Sequence, residues 1–295
     1  MKLSELLHDG IYVLKENNID DCHLKARLLL AYLLGKTKEY LMINDREEID
    51  SEKQIAYYAL LDRLTSGEPL QYITGHQEFM GMDFLVNQKV LIPQPDTEIL
   101  VQAVLKYLEY ACGKQKVELF EYLEKKSLNC PKILDLCTGS GAIAISLSKI
   151  WKNGVMEMTA SDISQDALEV AKVNCQKHQA KVRFVQSDLF EQIEDKFDII
   201  VSNPPYIETE TISELSLDVQ NEPYIALDGG KDGLDFYRKI GKEARKHLTE
   251  EGMLFLEIGY NQKEPVRKIL ENNHFKNIIC LQDFSGNDRV MIASV

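Results

Sequence analysis

The order of apolar and polar positions divides the chain into a helical first part and a longer second part in which strands and helices alternate. In the first part, apolar side chains recur at helical spacing, as at Ala26, Leu29, Leu30 and Leu33. No group in this region suggests chemistry of its own. We therefore expect residues 1–75 to form a small helical bundle that serves as a lid or a docking domain.

A short β-prone stretch follows the helical part. The runs EFM and MDFLV are separated by Gly81, which predicts a β-hairpin linker over residues 76–95. Apolar positions then return to helical spacing from Leu100, with Asp96 as a candidate N-cap. We expect the polar stretch over residues 109–129 to extend this helix.

Beyond Pro131 the pattern changes to strand, turn and helix, and then repeats. Strands are predicted at KILDL, MEMTASD, KVRFVQSD and FDIIVSN, with helices beginning at Ala142 and Gln165. MLFLEIG, NIICLQ and RVMIASV follow, and the last two are too close for a helix between them, so they should pair antiparallel. Residues 96–295 are thus expected to form a Rossmann-like α/β domain, with a seven-stranded, mostly parallel sheet and an antiparallel last strand.

Composition narrows the class of protein. The chain has 295 residues, of which 44% are hydrophobic, and its apolar runs fall short of the ~20 residues that a membrane span requires. Its first residues lack the apolar core of a signal peptide, so we expect a cytoplasmic location and no membrane partner. The six cysteines show no C-x-x-C pair, and we interpret them as reduced, with no metal site.

The net charge of −13 disfavours direct binding along a phosphate backbone, which depends on clustered Lys and Arg. We therefore expect no direct nucleic-acid partner, and a basic protein partner suits this charge better.

A glycine-rich turn follows the first strand of the α/β series. Residues 135–141, DLCTGSG, join an apolar strand to an apolar helix, where glycine lets a ligand approach the backbone near free helix amides. The next strand ends at Asp162, about 20 residues further on, a spacing typical of a carboxylate that binds an adenosine ribose. A third strand ends at Asp188 and Leu189, which suit the edge and the face of adenine. The residues expected to bind this cofactor are Asp135, Cys137, Thr138, Gly139, Ser140, Gly141, Asp162, Asp188, Leu189 and Asn203.

The kind of cofactor follows from what the turn lacks. A dinucleotide site usually has a third glycine, whereas Ile143 stands close behind Gly141 here. Asp135 fits a cationic cofactor such as S-adenosylmethionine better than it fits a pyrophosphate. It either contacts the ammonium group of the methionine part of that cofactor or holds the turn. An interpretation in which Asp162 and Asp188 merely cap the following helices remains open.

The most specific motif is Asn203-Pro204-Pro205-Tyr206, at the end of the fourth predicted strand. The two prolines keep this segment stiff and extended. An amide or aromatic amino nitrogen is a poor nucleophile, and two acceptors, the Asn203 side-chain oxygen and the Pro204 carbonyl, can bind its hydrogens next to a methyl donor. Tyr206 can stack on the planar group. These four residues are the predicted catalytic residues.

These motifs together resemble one known family, the protein-glutamine methyltransferases that modify the Gly-Gly-Gln loop of class I peptide-chain release factors. The resemblance covers nearly the whole chain and rests on GEPLQYITGHQEFMGMDFLV, VLIPQPDTE, DLCTGSGAIAI, SNPPY, NEPYIALDGGKDGL and NDRV. It implies a class I S-adenosylmethionine-dependent methyltransferase that forms S-adenosylhomocysteine, with class I release factors as its protein substrates. We expect a monomer whose helical domain docks the release factor.

Two positions depart from the family pattern. Cys137 stands where glycine is common, and it should fit provided that its backbone avoids positive φ. Gln94 replaces an arginine, which removes a cation that could pair with a carboxylate or the cofactor. Glu222, Pro223 and the turn at residues 228–230 are expected to support the loop that carries the catalytic motif.

Three other functions remain open from the residues alone. The same motif can hold the exocyclic amine of a flipped adenine or cytosine, as in nucleic-acid amino-methyltransferases. A glutamine of a ribosomal protein is an alternative target. A non-catalytic module that retains the cofactor fold is a third possibility, against which the intact Asn203 to Tyr206 motif argues.

Overall fold

The computed structural model describes residues 1–114, 118–120 and 128–295, which form two compact units. The smaller unit contains Met1–His76 together with Leu215–Asn221. The larger unit contains Gln77–Glu214 and Glu222–Val295. The helical unit therefore includes a short segment from the second half of the chain. The apolar pattern of the sequence did not indicate that this segment belongs there.

The smaller unit is built from helices around an apolar core in which leucine predominates and Tyr57 is fully buried. The Tyr57 hydroxyl donates a hydrogen bond to the Ala26 carbonyl over 3.0 Å. A Cβ on Gly10 would lie 2.1 Å from that hydroxyl, so the two helices need glycine there to approach each other. Asn221 Nδ2 ties the later segment to this unit through the Gly67 carbonyl, over 3.0 Å. The helices are α1 (Leu3–Glu16), α2 (Cys22–Leu34), α3 (Lys38–Ile43), α4 (Ser51–Thr65), α5 (Leu70–Thr74) and, from the later segment, α9 (Leu217–Gln220).

The predicted hairpin is present. Strands β1 (His76–Phe79) and β2 (Met82–Leu85) pair in a two-stranded sheet. Met80 and Gly81 connect them with φ angles of 53° and 70°, as a tight two-residue turn between strands requires.

The larger unit has a seven-stranded sheet, as predicted. Along the chain its strands are β3 (Lys132–Leu136), β4 (Glu157–Asp162), β5 (Arg183–Gln186), β6 (Phe197–Ser202), β7 (Leu248–Glu257), β8 (Lys276–Gln282) and β9 (Asp288–Ser294). Their order in the sheet is β5-β4-β3-β6-β7-β9-β8. The first five strands in this order pair in parallel, and β9 runs antiparallel to both of its neighbours. The antiparallel last strand is thereby confirmed.

Apolar side chains alternate between the two faces of this sheet. Ile133, for example, belongs to a core shared with α6 (Glu98–Ala111) and α7 (Ala142–Ile150). Leu134 belongs to the opposite core, shared with α11 (Asp235–His247) and α12 (Lys263–Asn272). Among the described residues, no helix combines the length and apolar character needed to cross a bilayer. The helices are α6 (Glu98–Ala111), α7 (Ala142–Ile150), α8 (Gln165–His178), α10 (Tyr224–Leu227), α11 (Asp235–His247) and α12 (Lys263–Asn272).

Two local predictions around α6 need correction. Asp96 does not cap the helix, because α6 begins at Glu98 after a short 3₁₀ turn that contains Asp96. The predicted helical extension over residues 109–129 ends at Ala111. A 3₁₀ turn spans Glu118–Phe120, and the remaining residues of that stretch up to 127, namely 115–117 and 121–127, lie outside the described part.

Candidate active site

The candidate site lies at one edge of the sheet, where four parallel strands end at the same level. Leu136 at the end of β3 is in register with Ser161 on one side and Ser202 on the other. Asp162 is in register with Gln186 of the next strand. The loops that follow these strands therefore begin side by side, as ligand-binding loops of open α/β sheets do.

The two glycines of the turn after β3 have different roles. Gly141 precedes α7 with φ 81°, and a Cβ there would lie 2.9 Å from Ile145 Cδ1. Gly139 also has positive φ, 54°, but a Cβ on it would meet nothing within 4 Å. Gly141 is thus needed for helix packing, while Gly139 leaves open space beside the backbone, which suits a bound ligand.

Cys137 was expected to fit the glycine turn provided that its backbone avoided positive φ, and this expectation is wrong. Its φ is 58°, in the left-handed region that favours glycine. The side chain is partly buried against the core, and burial raises the pKa of its thiol. The protein therefore tolerates a strained backbone at this position.

Asp162 connects the end of β4 to the glycine turn. Its Oδ2 accepts a hydrogen bond from the Gly139 amide over 2.8 Å, and its Oδ1 accepts one from the Ser164 amide over 2.9 Å. The N-cap of α8 is Ser164, whose hydroxyl accepts from the Ala167 amide. The side chain of Asp162 is therefore not the helix cap that was the alternative interpretation.

Asp135 is fully buried below the same turn. Its Oδ2 accepts hydrogen bonds from Thr138 Oγ1 over 2.6 Å and from the Ala144 amide over 3.2 Å, so it holds the turn in place. Its Oδ1 has no partner among the described residues. Burial raises the pKa of Asp135 to about 7, and a cation beside the carboxylate would lower it again.

Two adjoining cavities lie in the larger unit along this edge. The larger has a volume of about 210 Å³, and its lining includes Asp162, Asp188 and Leu189. The smaller, of about 50 Å³, extends along the glycine turn towards Gln94 and Thr97. The residues that line both cavities are Leu91, Cys137, Gly139 and Asn203.

The four residues of the Asn-Pro-Pro-Tyr motif occupy different places. Asn203 lies where the cavities adjoin, and its Nδ2 donates to Thr97 Oγ1 over 3.2 Å. Pro205 lines the larger cavity and Pro204 is buried. Within the described chain, Tyr206 lines neither cavity, and its hydroxyl lies 3.5 Å from Glu257 Oε1. A stacking role for Tyr206 stays a prediction.

The later part of the loop between β6 and α11, around Gly229 and Gly233, packs against Tyr206 near the beginning of the same loop, as expected for a supporting segment. A Cβ on Gly229 would lie 2.7 Å from Tyr206 Cα, and one on Gly233 would lie 2.4 Å from the Tyr206 carbonyl oxygen. Glu222 accepts a hydrogen bond from the Ile92 amide over 2.7 Å. The later part of this loop therefore holds in place both the catalytic motif and the segment after the hairpin.

Sequence reasoning missed Thr97, Glu257 and Arg289. Glu257 is an acid at the end of the apolar run MLFLEIG, and an acid in such a position was the available signal. Arg289 Nη2 lies 3.1 Å from carboxylate oxygens of both Asp96 and Asp283. Arg289 thus places a buried cation beside the segment in which this chain has Gln94 where the family commonly has an arginine.

Comparison with known proteins gives a consistent result. Residues 5–75 match the PrmC N-terminal domain and residues 117–219 match the methyltransferase small domain. The chain is 42% identical to the release factor glutamine methyltransferase of Clostridium acetobutylicum, over 99% of this chain and 98% of that protein. It is 40% identical to the enzyme of the same name from Clostridium botulinum, over 99% of each. A methyltransferase structure from Pyrococcus furiosus aligns with a TM-score of 0.50 at 18% identity, over 73% of this chain and 90% of that one.

The sheet order and the loops at its edge define a class I S-adenosylmethionine-dependent methyltransferase fold with an N-terminal helical unit. At the identities found over nearly its full length, the chain belongs to the family of release factor glutamine methyltransferases. The family predicted from its motifs is thereby confirmed.

Proposed function

We propose that this protein transfers a methyl group from S-adenosylmethionine to the side-chain amide nitrogen of the glutamine in the Gly-Gly-Gln loop of class I release factors. The observation that carries this proposal is the placement of Asn203. Asn203 lines both cavities, and its Nδ2 is engaged by Thr97. Its Oδ1, for which the described residues supply no hydrogen-bond donor, is then the atom that can accept from a ligand. A carboxamide oxygen is an acceptor suited to the N–H of a substrate amide.

The residues of the larger cavity fit the proposed cofactor. Asp162 would bind the ribose hydroxyls, and Asp188 with Leu189 would contact adenine. Asp135 Oδ1, which is buried and has no partner within the described part of the chain, would balance the ammonium of the methionine moiety. The other proposed binding residues belong to the glycine turn, namely Cys137, Thr138, Gly139, Ser140 and Gly141. Bound S-adenosylmethionine supplies an electrophilic methyl group on a sulfonium.

The chain's own contribution at the reacting nitrogen is orientation. Asn203 Oδ1 and the Pro204 carbonyl would accept the two N–H groups of the amide, which biases the nitrogen towards a tetrahedral arrangement and directs its lone pair at the methyl group. The rigid prolines hold these acceptors before the substrate arrives. A strong base is not required, because the methylated nitrogen is acidic and loses its proton to water.

Release factor is favoured over the alternative targets. The net charge of −13 disfavours a nucleic-acid substrate. The relatives named as release factor glutamine methyltransferases match the helical unit as well as the catalytic one, since they cover 99% of the chain. A ribosomal-protein glutamine is the second candidate of the same chemistry. A monomeric state and a cytoplasmic location stay predictions.

The test is transfer of labelled methyl from S-adenosylmethionine. The protein is incubated with a class I release factor, with its Gln→Ala loop variant, with ribosomal proteins and with total nucleic acid. We expect label on the intact factor alone. The Asn203→Ala variant serves as a control that should retain cofactor binding and lose transfer. Label on nucleic acid or on ribosomal protein would replace the proposed substrate, and cofactor binding without transfer to any of them would contradict an enzymatic function.

A further inference from the structure

A chain of hydrogen bonds leads away from Asn203 into the core. Asn203 Nδ2 donates to Thr97 Oγ1 over 3.2 Å. The Thr97 side chain lies close enough to the Glu257 carboxylate to act on it as a hydrogen-bond donor that lowers its pKa. Thr97 is 4% exposed and Glu257 is 1% exposed. The three residues come from the turn before α6, the end of β6 and the end of β7.

We propose that Thr97 and Glu257 are positioning residues that fix which way the Asn203 carboxamide faces, so that its oxygen and not its nitrogen meets the substrate amide. This inference rests on the proposed function and concerns the same site. We call the three side chains, Asn203, Thr97 and Glu257, the Asn-Thr-Glu relay.

The direction of the relay follows from the number of hydrogens available. A carboxylate only accepts hydrogen bonds, so Thr97 donates its single hydroxyl hydrogen to Glu257. The Thr97 oxygen is then left with lone pairs, and the side of Asn203 that faces it must be the amide nitrogen. Without the relay both orientations of the carboxamide are accessible. In the flipped one, the Asn203 N–H groups would oppose the N–H groups of the target, and transfer would be blocked.

The other groups around the Glu257 carboxylate leave it able to accept a hydrogen bond from Thr97. The Tyr206 hydroxyl lies 3.5 Å from Oε1, and the Tyr237 hydroxyl donates to the backbone oxygen of Glu257 over 2.9 Å. Oε2 is buried without a partner among the described residues. The charged groups that act on Glu257 are Arg289, which stabilises the carboxylate, and Asp96, which opposes it.

Protonation of Glu257 would remove the preference of the relay for one orientation of the Asn203 carboxamide. Burial raises the pKa of Glu257 to about 7, while Thr97 and Arg289 hold it down. A neutral carboxyl group can donate a hydrogen bond to the Thr97 oxygen. The Thr97 hydroxyl can then donate to Asn203, which allows the flipped carboxamide, with its oxygen facing Thr97. The relay is therefore correctly directed above that pKa and loses its direction as the pH falls through it.

The test compares Thr97→Val, which keeps the side-chain shape but removes the hydroxyl, with Thr97→Ser, which restores it. Thr159→Val is the matched control, because Thr159 is 5% exposed in β4 and its hydroxyl contacts Arg183. At saturating S-adenosylmethionine, we expect kcat of Thr97→Val to fall by about 10- to 100-fold with cofactor affinity unchanged, as for other partners that orient a reacting group. Thr97→Ser should recover most of the rate and Thr159→Val should retain it.

The pH profile is the second readout. Wild-type kcat should decline as the pH falls below about 7, the value to which burial raises the pKa of the Glu257 carboxyl group. Glu257→Gln should have a lower kcat without this decline. A Glu257→Gln variant with the wild-type profile would contradict the relay.

A spectroscopic readout separates the relay from the proposed function. In protein labelled with ¹⁵N-asparagine, the side-chain amide signal of Asn203, identified by its loss in Asn203→Ala, should shift in Thr97→Val and stay in place in Thr159→Val. An unmoved signal in Thr97→Val would overturn the relay whether or not the protein is active. If the signal shifts in Thr97→Val but the wild-type protein methylates none of the substrates, the relay is retained and the proposed function is rejected.

Discussion

At the scale of single residues, Cys137 shows how a side chain can be tolerated where the backbone asks for glycine. Its φ of 58° costs an L-residue roughly 1–2 kcal/mol relative to the usual helical or extended regions. Its partial burial against the core offsets some of this cost. The position therefore tests whether conformation or side-chain volume limits what the glycine turn accepts.

We expect Cys137→Gly to change the free energy of unfolding by less than about 1 kcal/mol, because relief of strain and loss of burial nearly cancel. Cys137→Val should be less stable than Cys137→Gly by at least about 1–2 kcal/mol, since a β-branched residue fits poorly at positive φ. Urea unfolding of the three proteins measures both differences. Equal stability of the Val and Gly variants would show that the backbone at this position adjusts.

At the scale of elements, distant segments converge on the short stretch between the hairpin and α6. Glu222 binds the Ile92 amide, Arg289 of β9 contacts Asp96, and Asn203 binds Thr97. The predicted boundary between residues 95 and 96 falls inside this stretch. The end of the linker is thus part of the candidate site, and its conformation depends on the loop after β6 and on the last strand.

The loop between β6 and α11 offers a sharp test of this dependence. Gly233 has φ 69°, and a Cβ there would lie 2.4 Å from the Tyr206 carbonyl oxygen and 2.6 Å from Gln262 Nε2. Gly286 also has positive φ, 84°, but a Cβ would meet nothing within 4 Å. We expect Gly233→Ala to lower the free energy of unfolding by more than about 3 kcal/mol, and Gly286→Ala by only about 1–2 kcal/mol.

Chemical denaturation of both alanine variants measures this difference, and methyl transfer should fall in Gly233→Ala alone. Similar losses of stability in the two variants would mean that the close approach to Tyr206 is not the constraint. The comparison holds the backbone conformation roughly constant and changes only the available space.

At the scale of the whole molecule, acids whose pKa is raised by burial make stability depend on pH. Asp162 is one of them, and Asp135 and Glu257 are two more. Burial raises the pKa of Asp135 from 3.8 to about 7 and that of Glu257 from 4.5 to about 7. Between about pH 4 and 7 the folded chain retains protons that the unfolded chain has released. The stability that these two groups contribute is therefore complete below that range and is lost as the pH rises through it.

We expect the melting temperature of the ligand-free protein to fall between pH 5 and 8, and to fall less in Asp135→Asn, which removes one of these acids. Differential scanning calorimetry at several pH values in this range provides the measurement. S-adenosylmethionine should restore more stability at pH 8 than at pH 5, because its ammonium would favour the carboxylate of Asp135. An identical pH dependence in the variant would contradict the role of Asp135 burial.

The sequence by itself determined the order of strands and helices, the antiparallel last strand and the glycine turn. These follow from local apolar periodicity, and parallel strands necessarily bring their carboxyl ends to one edge. It also determined the family, because several motifs occur together along nearly the whole chain.

Only the tertiary structure decided which side chains support Asn203. Thr97 lies 106 residues before Asn203 in sequence, and Glu257 lies 51 residues after Tyr206, so no local pattern connects them. It also decided the positive φ of Cys137 and the membership of Leu215–Asn221 in the helical unit. The physical reason is the same in each case: hydrogen-bond partners and backbone strain depend on how distant segments pack, and packing is not encoded in the spacing of neighbouring residues.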